Sequence, residues 1–153
     1  MKRATDDLPA PLTQIGETFT LTVRLSDADI MSFARQLHDL NPLHHDVAVA
    51  RAAGYPGLIA SGAHTGAVFM GMTATHFSSP SPDGLPRSIL GLGFDLRFRA
   101  VVLADEDVTF RWTVASSVWK PSLEGFVIHC VGEAHTPRGL VLAGTCNLLL
   151  RAA

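Results

Sequence analysis

The sequence has no excess of basic residues and no basic stripe. Lys and Arg number 12 and Asp and Glu number 14 among 153 residues, which gives a formal net charge of −2. A nucleic-acid-binding surface is therefore not indicated. Cysteine is also scarce, since only Cys130 and Cys146 occur and they form no Cys-x-x-Cys pair. Zinc binding or redox chemistry by thiols is thus not expected, and both cysteines are predicted to be small buried residues of the core.

Long apolar runs are missing as well. No uncharged apolar stretch approaches the roughly 20 residues that a membrane helix requires, and the segment Met1–Asp7 lacks the apolar region of a signal peptide. We therefore expect a cytoplasmic protein without a membrane partner. The apolar fraction of 47% is nevertheless sufficient for a hydrophobic core. Residues 1–16 are predicted to be a lead-in, and residues 17–153 are predicted to form a single domain.

Hydrophobic periodicity divides the chain into strands and helices. Alternating β-branched residues predict strands, whereas apolar residues at intervals of three and four predict helices. Ser26 and Asp46 are typical helix N-caps. The predicted order is a strand at 19–25, helices at 27–38, at 47–53 and from Ser61-Gly62 to about His76, and strands at 88–98, 107–119, 125–136 and 140–150.

The third predicted helix is the longest, and it is apolar nearly all round. Such a helix is typically buried. The last strands are long and are joined by short turns, which indicates an antiparallel meander. The sequence therefore predicts an α+β fold, in which a curved antiparallel sheet wraps around one central apolar helix.

One stretch carries the strongest sign of chemistry, Asp39-Leu40-Asn41-Pro42-Leu43-His44. Pro42 lacks an amide proton and disfavours a helical Asn41, so the preceding helix is predicted to end near Asp39. His44 is then free to fold back toward Asp39. A carboxylate and an imidazole that meet across a rigid turn can hold one water molecule between them, as general acid–base catalysis requires. Taken singly, either residue is better explained as part of a solvated loop.

Other polar residues near this stretch raise the alternative of a metal site. His38, His45 and Asp46 lie close to His44 in the sequence, and zinc does use imidazole and carboxylate ligands. However, neither a His-Glu-x-x-His helix nor a pair of thiolate ligands is present. We therefore expect no metal here, and the sequence suggests no role for His45.

The motif also carries a family resemblance. Asp-x-Asn-Pro-Leu-His, followed by a short helix, a Gly-x-x-x-Ser-Gly turn and an apolar helix, resembles the MaoC-like (R)-specific enoyl-CoA hydratases, which have the hot-dog fold. The strand Phe94–Arg99 and the acidic turn Asp105–Asp107 also resemble the family, and the similarity spans about residues 18–150. The matching residues of the motif are Asp39, Asn41, Pro42, Leu43, His44, Gly57 and Gly62.

This resemblance implies a homodimer whose sheets join edge to edge, and a lyase that needs no cofactor. Its substrate would be an acyl thioester of coenzyme A or acyl carrier protein. Water would add across the 2,3 double bond to give a (3R)-hydroxyacyl thioester, or would leave in the reverse dehydration. Asp39 and His44 match the pair that positions and activates the water, and the amide of Gly62 matches the donor to the thioester carbonyl.

Four further residues are candidates for substrate binding. Asn41 is expected to orient the turn or His44 through a hydrogen bond. Ser61 stands where the family usually has the histidine of a His-Gly-Met sequence, and this difference bears on substrate preference. Arg97 and Arg99 are predicted to share one face of a strand and to be able to meet the phosphates of coenzyme A, although exposed arginines are common on sheets.

Two other functions fit the same sequence. A hot-dog thioesterase would hydrolyse the acyl thioester and release a free thiol, whereas a non-catalytic module would bind the thioester without turning it over. Asp39 and His44 favour the hydratase, because water addition needs a base for the water and a proton source for the α carbon.

Overall fold

The computed structural model describes residues 8–153. The first seven residues of the predicted lead-in lie outside this described part. The prediction that Met1–Asp7 is not a signal peptide concerns these residues. The elements in chain order are β1 (Thr18–Arg24), α1 (Asp27–Gln36), α2 (Val47–Ala52), α3 (Gly62–Phe77), β2 (Arg87–Phe98), β3 (Asp107–Lys120), β4 (Gly125–Thr136) and β5 (Gly139–Ala152). Every predicted strand and helix is present, and its ends lie within about two residues of the prediction.

The five strands form one antiparallel sheet in the order β1-β3-β4-β5-β2. β3, β4 and β5 pair in succession, as the predicted meander requires. β2 crosses over to pair with β5, and β1 pairs with β3, so β1 and β2 are the two edge strands. The predicted α+β fold, an antiparallel sheet around one apolar helix, is confirmed.

Helix α3 packs against the inner face of this sheet. Phe69 of α3 stacks on Trp112 of β3 with ring centroids 3.9 Å apart, and the indole Nε1–H of Trp112 donates to the Phe69 carbonyl at 2.8 Å. Gly132 on β4 makes room for the indole, because a Cβ at this position would lie 2.4 Å from a ring carbon of Trp112. A strand glycine therefore sets how closely the helix approaches the sheet. Within residues 8–153, no helix combines the length and apolar character that crossing a membrane would need.

The two cysteines face each other directly across strands β4 and β5. Cys130 and Cys146 are both buried, and neither is in a disulfide. A hydrogen bond with the thiol of Cys146, together with burial, raises the pKa of the Cys130 thiol. Because both side chains are buried in the core, the prediction that they are small core residues is confirmed.

A buried ion pair joins the region before β1 to the start of β2, and a histidine near the end of α3 is hydrogen-bonded to it. The Arg87 guanidinium donates to the Glu17 carboxylate at 3.0 Å, and the His76 Nε2–H donates to the same carboxylate oxygen at 2.7 Å. Arg87 also donates to the carbonyl of Leu12, a core residue from the predicted lead-in. Burial raises the pKa of Glu17, but the hydrogen bonds from Arg87 and neighbouring side chains outweigh this effect and lower that pKa to about 2.

Replacing Glu17 by Gln should destabilise the fold, and it should do so most at neutral pH. With a folded-state pKa of about 2 against an ordinary value of 4.5, ionised Glu17 stabilises the protein above pH 4.5, and this contribution is lost as the pH falls toward 2. At pH 7 the free energy of unfolding should drop by an amount on the order of 3 kcal/mol, measured by urea denaturation.

The same measurement across the pH range tests the cause. The difference between the wild type and Glu17→Gln should shrink between pH 4.5 and 2. Glu133→Gln is the matched control, because the Glu133 side chain is 55% exposed. A Glu17→Gln difference that stays constant in acid, or an equal loss in the control, would contradict the assignment.

Candidate active site

A residue with left-handed backbone follows helix α1 and begins the turn that carries the motif. Leu37 caps the helix, and His38 has a φ of +58°. The Asp39 amide then donates to the Ala34 carbonyl at 2.9 Å. The helix stops at Gln36, slightly before its predicted end, because left-handed backbone at His38 cannot continue a right-handed helix.

The rest of the turn is held by its own polar groups. The Asp39 carboxylate accepts the Asn41 amide N–H at 3.0 Å, and the side-chain oxygen of Asn41 accepts the Leu43 amide N–H at 3.1 Å. A 3-10 turn then runs over Pro42–His44, and proline is favoured at its first position because no amide proton is needed there. Asn41 therefore orients the segment that delivers His44.

The turn brings the imidazole of His44 to the carboxylate of Asp39. His44 Nε2 and Asp39 Oδ2 are 3.4 Å apart. His44 Nδ1 lies 2.7 Å from the Ile59 carbonyl oxygen, and because a carbonyl can only accept, this nitrogen carries a proton. The neutral ring then has its lone pair on Nε2, which faces the carboxylate. The side chain of His44 is 7% exposed and that of Asp39 is 33% exposed, so solvent reaches the pair mainly from the carboxylate side.

The acceptor that orients His44 is itself fixed by main-chain hydrogen bonds. The Ile59 amide donates to the Leu43 carbonyl at 3.2 Å, and Ile59 forms an isolated antiparallel bridge with Leu103. The next residue, Ala60, donates to the Val102 carbonyl at 2.9 Å. Main-chain hydrogen bonds on both sides thus hold the short extended segment whose carbonyl accepts from the imidazole ring.

His45 has a role that sequence analysis did not identify. Its Nε2–H donates to the main-chain carbonyl of Asp39 at 2.7 Å and so ties the end of the turn to its beginning. The sequence shows only two adjacent histidines here, and this pattern does not specify a partner. His45 therefore supports the position of Asp39 through the backbone.

The first turn of helix α3 contains one amide that is capped by a side chain and one that makes no hydrogen bond within residues 8–153. Ser61 is the N-cap, and its hydroxyl oxygen accepts the His64 amide N–H at 3.1 Å. The amide N–H of Gly62 has no acceptor among the described residues, and it lies at the positive end of the helix dipole. Phe98 lies close to it, because a Cβ on Gly62 would be 3.2 Å from the Phe98 ring.

A cavity of about 280 Å³ opens at this helix end. Neither Asp39 nor His44 lines it; the extended segment that contacts His44 continues into its lining at Ala60. The charged group at the cavity is Arg99. The lining residues are Ala60, Gly62, Thr65, Phe98, Arg99, Ala100, Val101 and Val102.

The structure separates the other predicted substrate-binding residues. Arg97 forms an ion pair with Asp95 at 3.2 Å and lines a groove on the sheet face that points away from α3. The prediction that Arg97 and Arg99 share one face of a strand is wrong, because β2 ends at Phe98 and the alternation of side chains ends with it. The hydroxyl of Ser61 caps α3 and is not part of the cavity lining.

The remaining histidine at the start of α3, His64, is a packing residue. His64 is buried and stacks on Phe33 of α1 with ring centroids 4.2 Å apart. Burial lowers the pKa of His64, although the nearby Asp29 carboxylate opposes this shift. Among the residues that the structure describes, no three His, Cys, Asp or Glu side chains gather closely enough to hold a metal ion.

Comparison with known proteins identifies similar sequences and a similar solved structure. The sequence matches the family model described as MaoC like domain over residues 11–123. A UPF0336 protein from Parafrankia sp. (strain EAN1pec) is 33% identical over 148 residues, which cover 92% of this chain and 95% of that protein. The mitochondrial 3-hydroxyacyl-[acyl-carrier-protein] dehydratase FERN from Solanum lycopersicum is 30% identical over 66 residues, which cover 43% of this chain and 40% of that protein.

A solved structure shows the same architecture. The (R)-hydratase from A. caviae involved in PHA biosynthesis superposes with a TM-score of 0.74 at 21% sequence identity, covering 92% of this chain and 97% of that one. Because the family model matches more than half of the chain, the chain belongs to the family of MaoC-like domains, and its strand order and central helix, together with this superposition, show the hot-dog fold.

Proposed function

We propose that this chain adds water to a 2-enoyl thioester of coenzyme A or acyl carrier protein and gives a (3R)-hydroxyacyl thioester, or catalyses the reverse dehydration. The observation that carries this proposal is the Asp39–His44 pair, in which a carboxylate oxygen lies 3.4 Å from Nε2, the imidazole nitrogen that holds the lone pair when the ring is neutral. Both atoms are acceptors, so one water molecule can donate a hydrogen to each.

The proton transfers that hydration requires can be assigned to this pair. One water proton passes to the pair, the remaining hydroxide adds to C3, and the pair then delivers the proton to C2, which returns both side chains to their initial state. His44 can take a proton on Nε2 because its Nδ1–H is already bound to the Ile59 carbonyl, and Asp39 can stabilise the imidazolium that results. The limited exposure of the His44 ring reduces competition from bulk water.

The start of α3 supplies the third requirement, a donor for the thioester oxygen. Negative charge develops on that oxygen when hydroxide adds to C3. The free amide of Gly62, at the positive end of a helix of 16 residues, is suited to stabilise it. Glycine at this position lets a ligand approach the backbone, and the Phe98 ring beside it would flank the bound thioester.

An apolar groove between α3 and β2 is a suitable place for the acyl chain. Its volume is about 370 Å³. Two of its lining residues, Met70 and Thr73, lie about two and three helical turns beyond Gly62. Arg99 at the Gly62 cavity is the cation that we assign to the phosphates of the carrier. The groove is lined by Ala67, Met70, Gly71, Thr73, Ala74, Ile89, Gly91 and Phe94.

The same edge of the sheet supports a homodimer. β2 has one unpaired side in the described chain, and its residues Leu90, Leu92 and Phe98 are 56%, 52% and 54% exposed. A long edge strand with exposed apolar side chains favours pairing with another strand. A second copy joined at β2 would cover these residues and the neighbouring acyl groove.

Asp39→Asn and His44→Asn should each reduce the hydration of crotonyl-CoA by about 100- to 10,000-fold. Asn at position 39 keeps the shape of the side chain but removes its charge. Asn at position 44 can still donate to the Ile59 carbonyl but lacks the base. The rate is measured as loss of absorbance of the enoyl thioester, and circular dichroism checks that both variants fold.

The matched control is His135→Ala, a histidine whose side chain is 47% exposed. It should retain the wild-type rate. Near-normal hydration by either Asn variant would refute the assigned chemistry. Release of free thiol by the wild type without loss of the double bond would instead identify a thioesterase.

Gly62→Pro should lower the rate by about 100- to 1000-fold, because it removes the amide proton that we assign to the thioester oxygen. Proline is tolerated at the first position of a helix, and the preceding Ser61 already has extended backbone, with φ −64° and ψ 149°. Gly62→Ala is the comparison, since it adds the same Cβ next to Phe98 and keeps the N–H. Equal rates for the Pro and Ala variants would argue against a role for this amide.

A further inference from the structure

A second cavity lies on the other flank of α3, between the edge strand β1 and the C-terminal half of the helix. Its volume is about 630 Å³, more than twice that of the cavity at Gly62. This volume falls within the range of roughly 300 to 1000 Å³ that is typical of small-molecule sites. The lining residues are Phe19, Thr20, Leu21, Val68, Gly71, Met72, Thr75, His76 and Ser79.

Most of the surface of this cavity is apolar. Phe19 and Leu21 alternate on β1 so that both face the helix, yet Leu21 remains 39% exposed. Val68 and Met72 lie opposite them on α3. Among the described residues, the inner face of the sheet thus leaves apolar surface uncovered at this edge, and Gly71 is the one lining residue that this cavity shares with the acyl groove.

One end of the cavity carries a fixed hydrogen-bond acceptor. The His76 ring is held by Glu17, which accepts from its Nε2–H at 2.7 Å, and by Phe19, which stacks on it with centroids 3.9 Å apart. In the neutral ring the other nitrogen, Nδ1, is then an acceptor. It has no partner among the described residues, and the side chain of His76 lines the cavity and is 27% exposed.

Among residues 8–153, those that line the cavity include no lysine or arginine that could bind an acidic ligand. Arg87 is nearby, but its side chain is only 1% exposed. Its donors are directed to the carbonyls of Ser79 and Leu12 and to the Glu17 carboxylate. The same carboxylate contacts the His76 ring, so a second anion at Nδ1 would meet like charge.

We propose that this cavity binds a neutral, apolar molecule with one hydroxyl group, of the fatty-alcohol class. The hydroxyl donates to His76 Nδ1, and the hydrocarbon lies between β1 and α3. The site is separate from the proposed hydration chemistry and does not depend on it.

The test is calorimetric titration of the full chain with 1-decanol and with decanoate at pH 8. The wild type should bind decanol saturably, and decanoate about tenfold or more weakly. Thr75→Trp places a large side chain in the cavity from an exposed helix position and should weaken decanol binding about tenfold or more. His76→Phe keeps a ring for stacking on Phe19 but removes the acceptor, so decanol affinity should fall about five- to tenfold.

The matched control is Ala74→Trp, because Ala74 is an exposed residue of the same helix that lines the acyl groove and does not line this cavity. It should leave decanol binding unchanged. Loss of binding in this variant but not in Thr75→Trp would place the alcohol in the acyl groove and overturn the proposal. No saturable binding by the wild type, or tighter binding of decanoate than of decanol, would overturn it too.

The molar mass of the protein in solution shows whether a second copy of the chain covers the cavity. Thr75→Trp should keep the wild-type molar mass by light scattering and the wild-type rate on crotonyl-CoA, whatever that rate is. A lower mass in this variant would show that a second copy of the chain covers the cavity, which contradicts a small-molecule site. If His76→Phe does not fold, the comparison of the two Trp variants decides the outcome.

Discussion

The contact between Phe69 and Trp112 determines where the central helix lies. The indole occupies the space that a side chain on Gly132 would need, stacks on the Phe69 ring and donates to a carbonyl in the middle of α3. An interior packed this closely does not let the helix slide. The depth of α3 in turn fixes both of its ends: Gly62 at the proposed active site and His76 at the Glu17–Arg87 ion pair.

The proposed active site depends on a second constraint, which is local. A left-handed residue ends α1, and a turn held by Asp39, Asn41 and His45 returns the chain to the extended segment at Ile59. The Ile59 carbonyl then fixes the His44 tautomer. None of these hydrogen bonds requires substrate, so the pair is preorganised. Preorganised polar groups of this kind are more effective in catalysis than groups that must first rearrange.

Much of this arrangement could be predicted from the sequence because its causes are local. Alternating strands, the apolar helix and the Asp39–His44 turn each follow from residues close together in the chain. The order of the edge strands could not be predicted, since the pairing of β2 with β5 is decided by packing between distant segments. The ion pair between Glu17 and Arg87 joins residues 70 positions apart, and no local pattern marks it. Arg99 was wrongly placed on the same strand face as Arg97, because it follows Phe98, the last residue of β2, and the alternation of side chains ends there.

The central claim is that Asp39 and His44 act as one unit on a single water molecule. A double-mutant cycle in the hydration of crotonyl-CoA tests it most directly, by comparing Asp39→Asn, His44→Asn and the variant with both changes. Residues that act together lose their shared function when either one is removed. The account predicts that the double variant retains about the residual rate of the slower single variant. If the two losses multiply instead, the residues contribute independently and the shared water is contradicted.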